Sequence, residues 1–179
     1  MASEYINELR KWTSELLKKN SSGEFVGLNR AVDLVSKQFS VQPHEVAIFV
    51  LTPDERFLRF IVPEKLQLVG QIPMTSTHAL SARTAREKRG EVINHFSVVP
   101  HSSVFEAVPI FDDEQRGDPI QKIMSVPMML DKKLIGVVQV SRKGKTAAEA
   151  GADFTHSQLR ELKTMADVLA ACVALSTKQ

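Results

Sequence analysis

Cysteine is the scarcest of the residues that could do chemistry: Cys172 stands alone in 179 residues. One thiol cannot build a disulfide, a paired-thiol redox motif or a Cys-rich zinc site within the chain. Imidazole and carboxylate ligands suit zinc or iron, so His95, His101 and Asp112 or Asp113 form a conceivable metal set. Their spacing matches no regular ligand pattern on a helix or hairpin, and no metal site is expected. Ser102-Ser103 beside His101 lacks a nucleophile elbow, and adjacency in sequence does not make a Ser-His-Asp geometry. No phosphate loop is visible either. The chain is therefore not expected to be an enzyme, and Cys172 is expected to be a buried, unreactive thiol. The run Arg83, Arg86, Lys88, Arg89 is broken by Glu87 and has no interleaved aromatics, which reads as a solvated helix face and not a nucleic-acid surface.

Composition narrows the setting. Apolar residues make up 43% of the chain, enough for one core that buries roughly 70% of the unfolded surface. Twenty-three Lys and Arg against 21 Asp and Glu leave a net charge of +2, so no global field steers the protein to nucleic acid or to a membrane. The first 18 residues lack the apolar stretch of a secretory signal, and no apolar run is long enough to span a bilayer. The lone cysteine fits a reducing compartment. A cytoplasmic location is expected.

The elements that must position any site follow from periodicity. Tyr5, Leu9, Trp12 and Leu16 step by three and four along a first helix, and Phe25, Leu28, Val32, Val35 and Phe39 do so along a second spanning 24–39. The pattern then changes to strands: 46–52 and 57–62 form a hairpin around Pro53-Asp54-Glu55-Arg56. An irregular strand lies within 66–74, and a small-residue helix capped by Thr75 or Ser76 ends at Gly90. Val92 and Ile93 begin a short strand, and a long loop covers 94–119. The strongest strands, 120–129 and 134–141, are joined by Asp131-Lys132-Lys133. A stretch rich in Gly, Ala and Lys leads to a terminal helix over 155–175. Gly136, inside a β-branched strand, marks a close approach of backbone or ligand.

The last third carries a family signature. Ile123-Met124-Ser125-Val126-Pro127-Met128, a charged turn and Leu134-Ile135-Gly136-Val137-Val138-Gln139-Val140, followed by Phe154-Thr155 and a helix with Leu159, Leu162 and Ala166, resemble the GAF domain family. Gly90-Glu91-Val92-Ile93-Asn94 is a further point of likeness. The resemblance implies an α+β fold of the GAF-like, profilin/PAS-like kind: a six-stranded antiparallel sheet with terminal helices on one face and, on the other, a pocket under a short helix and a long loop. Two segments are expected: 1–22, a dimerisation helix and linker, and 23–179, the GAF domain with its terminal helix.

The resemblance also implies which ligands fit poorly. The Asn-Lys pair of cyclic-nucleotide-binding members is replaced by Ser141-Arg142 or Arg142-Lys143, and their acidic pair by Gln158-Leu159, so cyclic GMP is not expected. Cys172 lies on the terminal helix, where it cannot attach a bilin in the pocket, and one cysteine cannot support the thiol chemistry of members that reduce methionine sulfoxide. The cofactor is left unknown. Pocket residues implied by the fold are Thr77 and His78 at the start of the short helix, where free N–H groups favour an anion. Asn94, His95, Phe96 and Phe105 come from the loop, and Ser125, Gln139 and Ser141 from the sheet. The alternative is that side chains fill the site.

On the terminal helix, Leu159, Leu162, Ala166, Leu169 and Val173 form one apolar stripe, and Met165, Val168, Cys172 and Leu175 form a second. Two stripes have two surfaces to cover. The expected cover for the second is a homodimer seam using Leu9, Trp12, Leu16, Leu169 and Val173; the alternative is a three-helix layer within one chain. The expected function is a sensor that binds a small ligand and signals through helix packing in that dimer, with a separate signalling protein as a possible partner. A protein-interaction or scaffold module with a collapsed pocket is the alternative.

Overall fold

A computed structural model describes residues 3–20, 27–98 and 117–175. Along the chain run α1 (Glu4–Lys19), α2 (Asn29–Phe39), β1 (Val46–Leu51), β2 (Phe57–Val62), β3 (Gln71–Pro73), α3 (Leu80–Glu87), β4 (Glu91–Ile93), β5 (Ile120–Leu130), β6 (Lys133–Lys143) and α4 (His156–Leu175). The six strands make one antiparallel sheet in the order β3-β2-β1-β6-β5-β4. The architecture is α+β, as expected. No described helix is long and apolar enough to cross a membrane.

Strand alternation sorts side chains onto two faces. Val46, Ile48 and Val50 of β1, Met124, Val126 and Met128 of β5, and Val138 and Val140 of β6 share a core with Leu162, Met165, Ala166 and Leu169 of α4 and Leu34 and Val35 of α2. The alternate set, including Phe49 and Val137, packs with Leu58, Phe60 and Leu66 against Ala82 and Ala85 of α3 and Ala79 just before it. The small residues of α3 let it lie close to the sheet. The β5–β6 hairpin turns at Asp131 and Lys132, both with positive φ (48° and 66°), the backbone of a two-residue hairpin turn whose twist matches that of the strands.

Gly136 sits where the backbone approach is tightest. A Cβ there would meet the carbonyl oxygen of Phe49 on β1 at 1.9 Å, so the glycine serves a backbone contact.

Three expectations change. Leu9, Leu169 and Val173 are fully buried within their own chain, because α1 packs directly on α4. They therefore have no surface to offer a two-fold seam; Trp12 and Leu16 are half-buried. The three-helix layer is intramolecular, and α1 belongs to the core of the remaining chain. The short helix begins at Leu80, later than a Thr75 or Ser76 cap requires, because the Ser76 hydroxyl accepts the Ala79 N–H (3.1 Å) in the turn before it. The same helix ends on Lys88, whose φ of 50° supplies the left-handed cap expected from Gly90. Gly90 instead lies under Val126 and Leu159.

Candidate functional site

On the sheet face opposite the long helices lies the short α3. A cavity lies between the N-terminal end of α3, the ends of β1, β5 and β6, and the turn carrying His44 and Glu45. It leaves about 60 Å³ for the centres of water-sized molecules, several times the space one water needs. Aromatic and aliphatic groups such as Phe49, Phe60, Leu66, Phe96 and Ile123 form most of its wall, and His44, Glu45, His78, Ser81, Gln139, Ser141 and Lys143 contribute polar groups.

Each polar group is placed by a specific device. On β6 the pocket-facing positions are 137, 139, 141 and 143, so Gln139, Ser141 and Lys143 project in a row. Glu45 fixes the neighbouring turn: its carboxylate accepts the backbone N–H of Gln42 (2.8 Å) and of Lys143 (2.7 Å), and its own carbonyl accepts the Ser141 hydroxyl (3.2 Å). Arg86 anchors the segment ahead of α3 by donating to the carbonyls of Met74 and Ser76. Behind the wall, Ser125 and Thr84 are buried and joined at 2.7 Å, and Gln139 donates to Ser125 at 3.1 Å.

His44 is the titratable group whose protonation the site alters. Burial, aided by the Lys143 charge, holds its pKa below the ordinary 6.5 against the opposing pull of Glu45. Neutral imidazole is thus favoured in the folded protein. Cys172 is buried on α4, away from the cavity lining, and burial pushes its thiol to about 11. The expected burial of this thiol is what the structure contains.

Of the nine residues expected in the pocket, His78, Phe96, Gln139 and Ser141 line the cavity. Ser125 stands directly behind Gln139. Thr77 and His95 are exposed and outside the lining. Asn94 is also outside it: its side chain accepts the Phe154 N–H (2.8 Å) and donates to the Phe154 carbonyl (3.0 Å), a clamp between β4 and the entry to α4. Phe105 lies outside the described residues, as do His101, Asp112 and Asp113 of the conceivable metal set. His44, Glu45, Ser81 and Lys143 are lining residues the sequence reading did not name. Lys143 was legible from strand parity with Gln139 and Ser141, and Glu45 from its place three residues after Gln42, the spacing of a capping box.

The basic run lies mostly at the surface, with Arg86, Lys88 and Arg89 exposed, and three of its four members make contacts within the chain. Arg83 forms a two-pronged pair with Glu91 (2.8 and 3.2 Å), Arg89 pairs with Glu87, and Arg86 holds the loop before α3.

A family model described as GAF domain matches residues 27–173. No curated protein matches the sequence. Among solved structures the chain resembles the GAF domain of a phosphoenolpyruvate-protein phosphotransferase from Acinetobacter, with a TM-score of 0.63 and 19% identity over 97% of this chain and 95% of that one. It also resembles free methionine-R-sulfoxide reductase from Neisseria meningitidis in complex with its substrate (TM-score 0.63, 13% identity, 97% and 88% covered). A putative GAF sensor protein from Burkholderia vietnamiensis is a third (TM-score 0.58, 12% identity, 100% and 99% covered). At such identities the structural likeness establishes the fold alone. The family model, covering most of the chain, establishes more: this chain belongs to the GAF domain family, a family of regulatory and sensor modules.

Proposed function

We propose that the chain is a regulatory sensor module that holds a small ligand in the cavity beside α3 and does no chemistry on it. The observation that carries this reading is the cavity itself, in which an apolar wall is interrupted by a few polar groups fixed by their own hydrogen bonds, the usual make-up of a ligand site. The thiol that a reductase would need is remote from that wall and held protonated by burial. A cytoplasmic location and the absence of a nucleic-acid or membrane partner belong to the same proposal, supported by the lone cysteine, the balanced charge and the ion pairs of Arg83 with Glu91 and Arg89 with Glu87.

Readout through a homodimer is also proposed, with a seam on the part of α1 that the subunit core leaves uncovered, where Leu17 is exposed and Trp12 and Leu16 are half-buried. Native mass spectrometry of protein purified from its own host tests both parts at once. A retained small molecule and a two-subunit mass are expected. Protein free of any small molecule across preparations, with a partner protein attached, would favour the second reading, an interaction module, for which the exposed apolar side chains of Leu68 and Val98 near the cavity-bearing face are the supporting observation.

A further inference from the structure

The cavity has a donor wall on the first turn of α3 and an acceptor wall at Gln139 and Ser141 of β6, the latter in a row that ends at the Lys143 ammonium. The donor wall is the first turn of α3, where the N–H groups of Leu80, Ser81 and Ala82 have no intrahelical acceptor and the helix end carries partial positive charge. A helix end alone identifies no site. Ser81 adds an independent feature: it lines the cavity, is 2% exposed, and its hydroxyl has no hydrogen-bond partner among the described residues. Other buried helical hydroxyls among the described residues bond back to a carbonyl of the preceding turn, Thr13 to Arg10 (3.0 Å), Ser36 to Val32 (2.7 Å) and Thr84 to Leu80 (2.9 Å). Ser81 is the second residue of its helix, so the residue four back is Thr77, which lies outside the helix. A buried hydroxyl without a partner is costly, and a bound acceptor would relieve it.

The acceptor wall is set by a directed chain of hydrogen bonds. Thr84 uses its one proton on the Leu80 carbonyl (2.9 Å), so the 2.7 Å contact between Thr84 and Ser125 is donated by Ser125. Ser125 in turn accepts from Gln139 Nε2 at 3.1 Å. The Gln139 nitrogen is thereby turned toward Ser125, and its carbonyl oxygen Oε1 is the acceptor left for the cavity. Ser141 donates to the Glu45 carbonyl and so also presents lone pairs.

From these two walls we infer that the ligand is a small monocarboxylate with an apolar body that also carries a neutral hydroxyl or amide donor. The carboxylate lies at Ser81 and the first turn of α3; the donor lies at Gln139. A cationic donor is disfavoured because the one carboxylate of the described lining, Glu45, already accepts two backbone N–H groups. This inference rests on the proposed sensor reading. In it Ser125 is a positioning residue, acting only through the orientation of Gln139.

Titrating the full chain with 3-hydroxybutyrate, butyrate and butyramide while following its amide resonances tests the inference. The Leu80 to Ala82 amides should shift, with affinity falling at least about threefold from 3-hydroxybutyrate to butyrate and again from butyrate to butyramide. Ser81→Ala should narrow the second gap, the backbone N–H groups of the first turn keeping part of it, and leave the first gap unchanged. Ser125→Ala should abolish the first gap and keep the second, a split that general loosening of the fold would not produce. Butyrate and butyramide binding equally would overturn the carboxylate assignment while leaving a ligand cavity, and a missing hydroxyl gap in the wild-type protein would overturn the role of Gln139. If no probe moves any cavity-lining amide, the monocarboxylate inference falls, and the sensor reading falls with it only where native mass spectrometry also finds no retained small molecule.

Discussion

Along β6, Val138 and Val140 turn toward the long helices and are wholly buried among Leu162, Met165 and Leu169, whereas Gln139 and Ser141, one residue over, turn toward α3 and keep polar groups beside a cavity. The same strand thus serves two faces with opposite demands. On the helix face, the sheet's core positions are apolar and covered by α1, α2 and α4, whose buried polar side chains, Thr13 and Ser36, bond back to their own helix backbones. On the α3 face, a short helix of small residues covers less sheet, and the buried residues include Ser81, Thr84, Ser125, Gln139 and Ser141. Apolar burial stabilises at roughly 25 cal/mol per Å², while each buried polar group needs a partner merely to avoid a loss. The difference indicates that the first face supplies most of the stability and that the second is shaped for something other than stability.

The largest effect should come from breaking what the faces share. Gly136→Val would place a side chain against the Phe49 carbonyl, and a loss of about 4 kcal/mol or more is expected, enough to unfold many domains of this size. Chemical denaturation reads it directly. An unchanged midpoint would mean that β1 and β6 can separate without consequence.

The next comparison is between two leucines. Leu169→Ala on the helix face removes a fully buried side chain and should cost about 2–5 kcal/mol, whereas Leu66→Ala, which already borders the cavity, should fall near the low end of that range. Equal losses would argue that the α3 face is packed as tightly as the other. Leu169→Glu should unfold the chain, not convert a folded dimer to a folded monomer, since that residue is inside the subunit core.

A smaller effect concerns pH. The folded-state pKa of His44 lies below its unfolded value, so the unfolded chain binds more protons between the two. The contribution of His44 is therefore fully present above pH 6.5 and is lost as pH falls through the depressed folded value. The melting temperature should decline on acidification below 6.5, and His44→Gln should flatten that decline. An identical slope in the variant would remove His44 as the source.

Ser81→Ala should have the smallest effect on stability, within about 0.5 kcal/mol of neutral or slightly stabilising, because it deletes a hydroxyl that has no partner among the described residues. A loss well above that would show that the hydroxyl is satisfied in solution.

Much of this contrast is legible in the sequence. The hairpins at 46–62 and 120–143 announce themselves by β-branched residues and turn chemistry, and α2 and α4 by three-four stripes, because burial imposes period directly on residue type. What stays hidden is which surface covers which. The two stripes of α4 are real, yet nothing local says that α1 of the same chain closes over them, so Leu9, Leu169 and Val173 read equally well as a seam between subunits. The cavity is half legible for a similar reason. Gln139, Ser141 and Phe96 follow from fold likeness, but His44 and Glu45 reach the site only through the packing of a turn that precedes β1, and Asn94 leaves it for the Phe154 backbone. The start of α3 is misplaced because Ser76 has the chemistry of a cap and uses it one turn too early.

The central claim is that the α3 face, and not the helix face, receives a small ligand. Adding the low-molecular-mass fraction of host-cell extract to isotope-labelled protein and mapping the amide shifts tests it most directly. The account predicts shifts at His78 to Ala82, Gln139 and Ser141, with Val138, Val140 and the middle of α4 unmoved. Shifts confined to the helix face, or none at all from an extract in which the protein is active in its host, would contradict it.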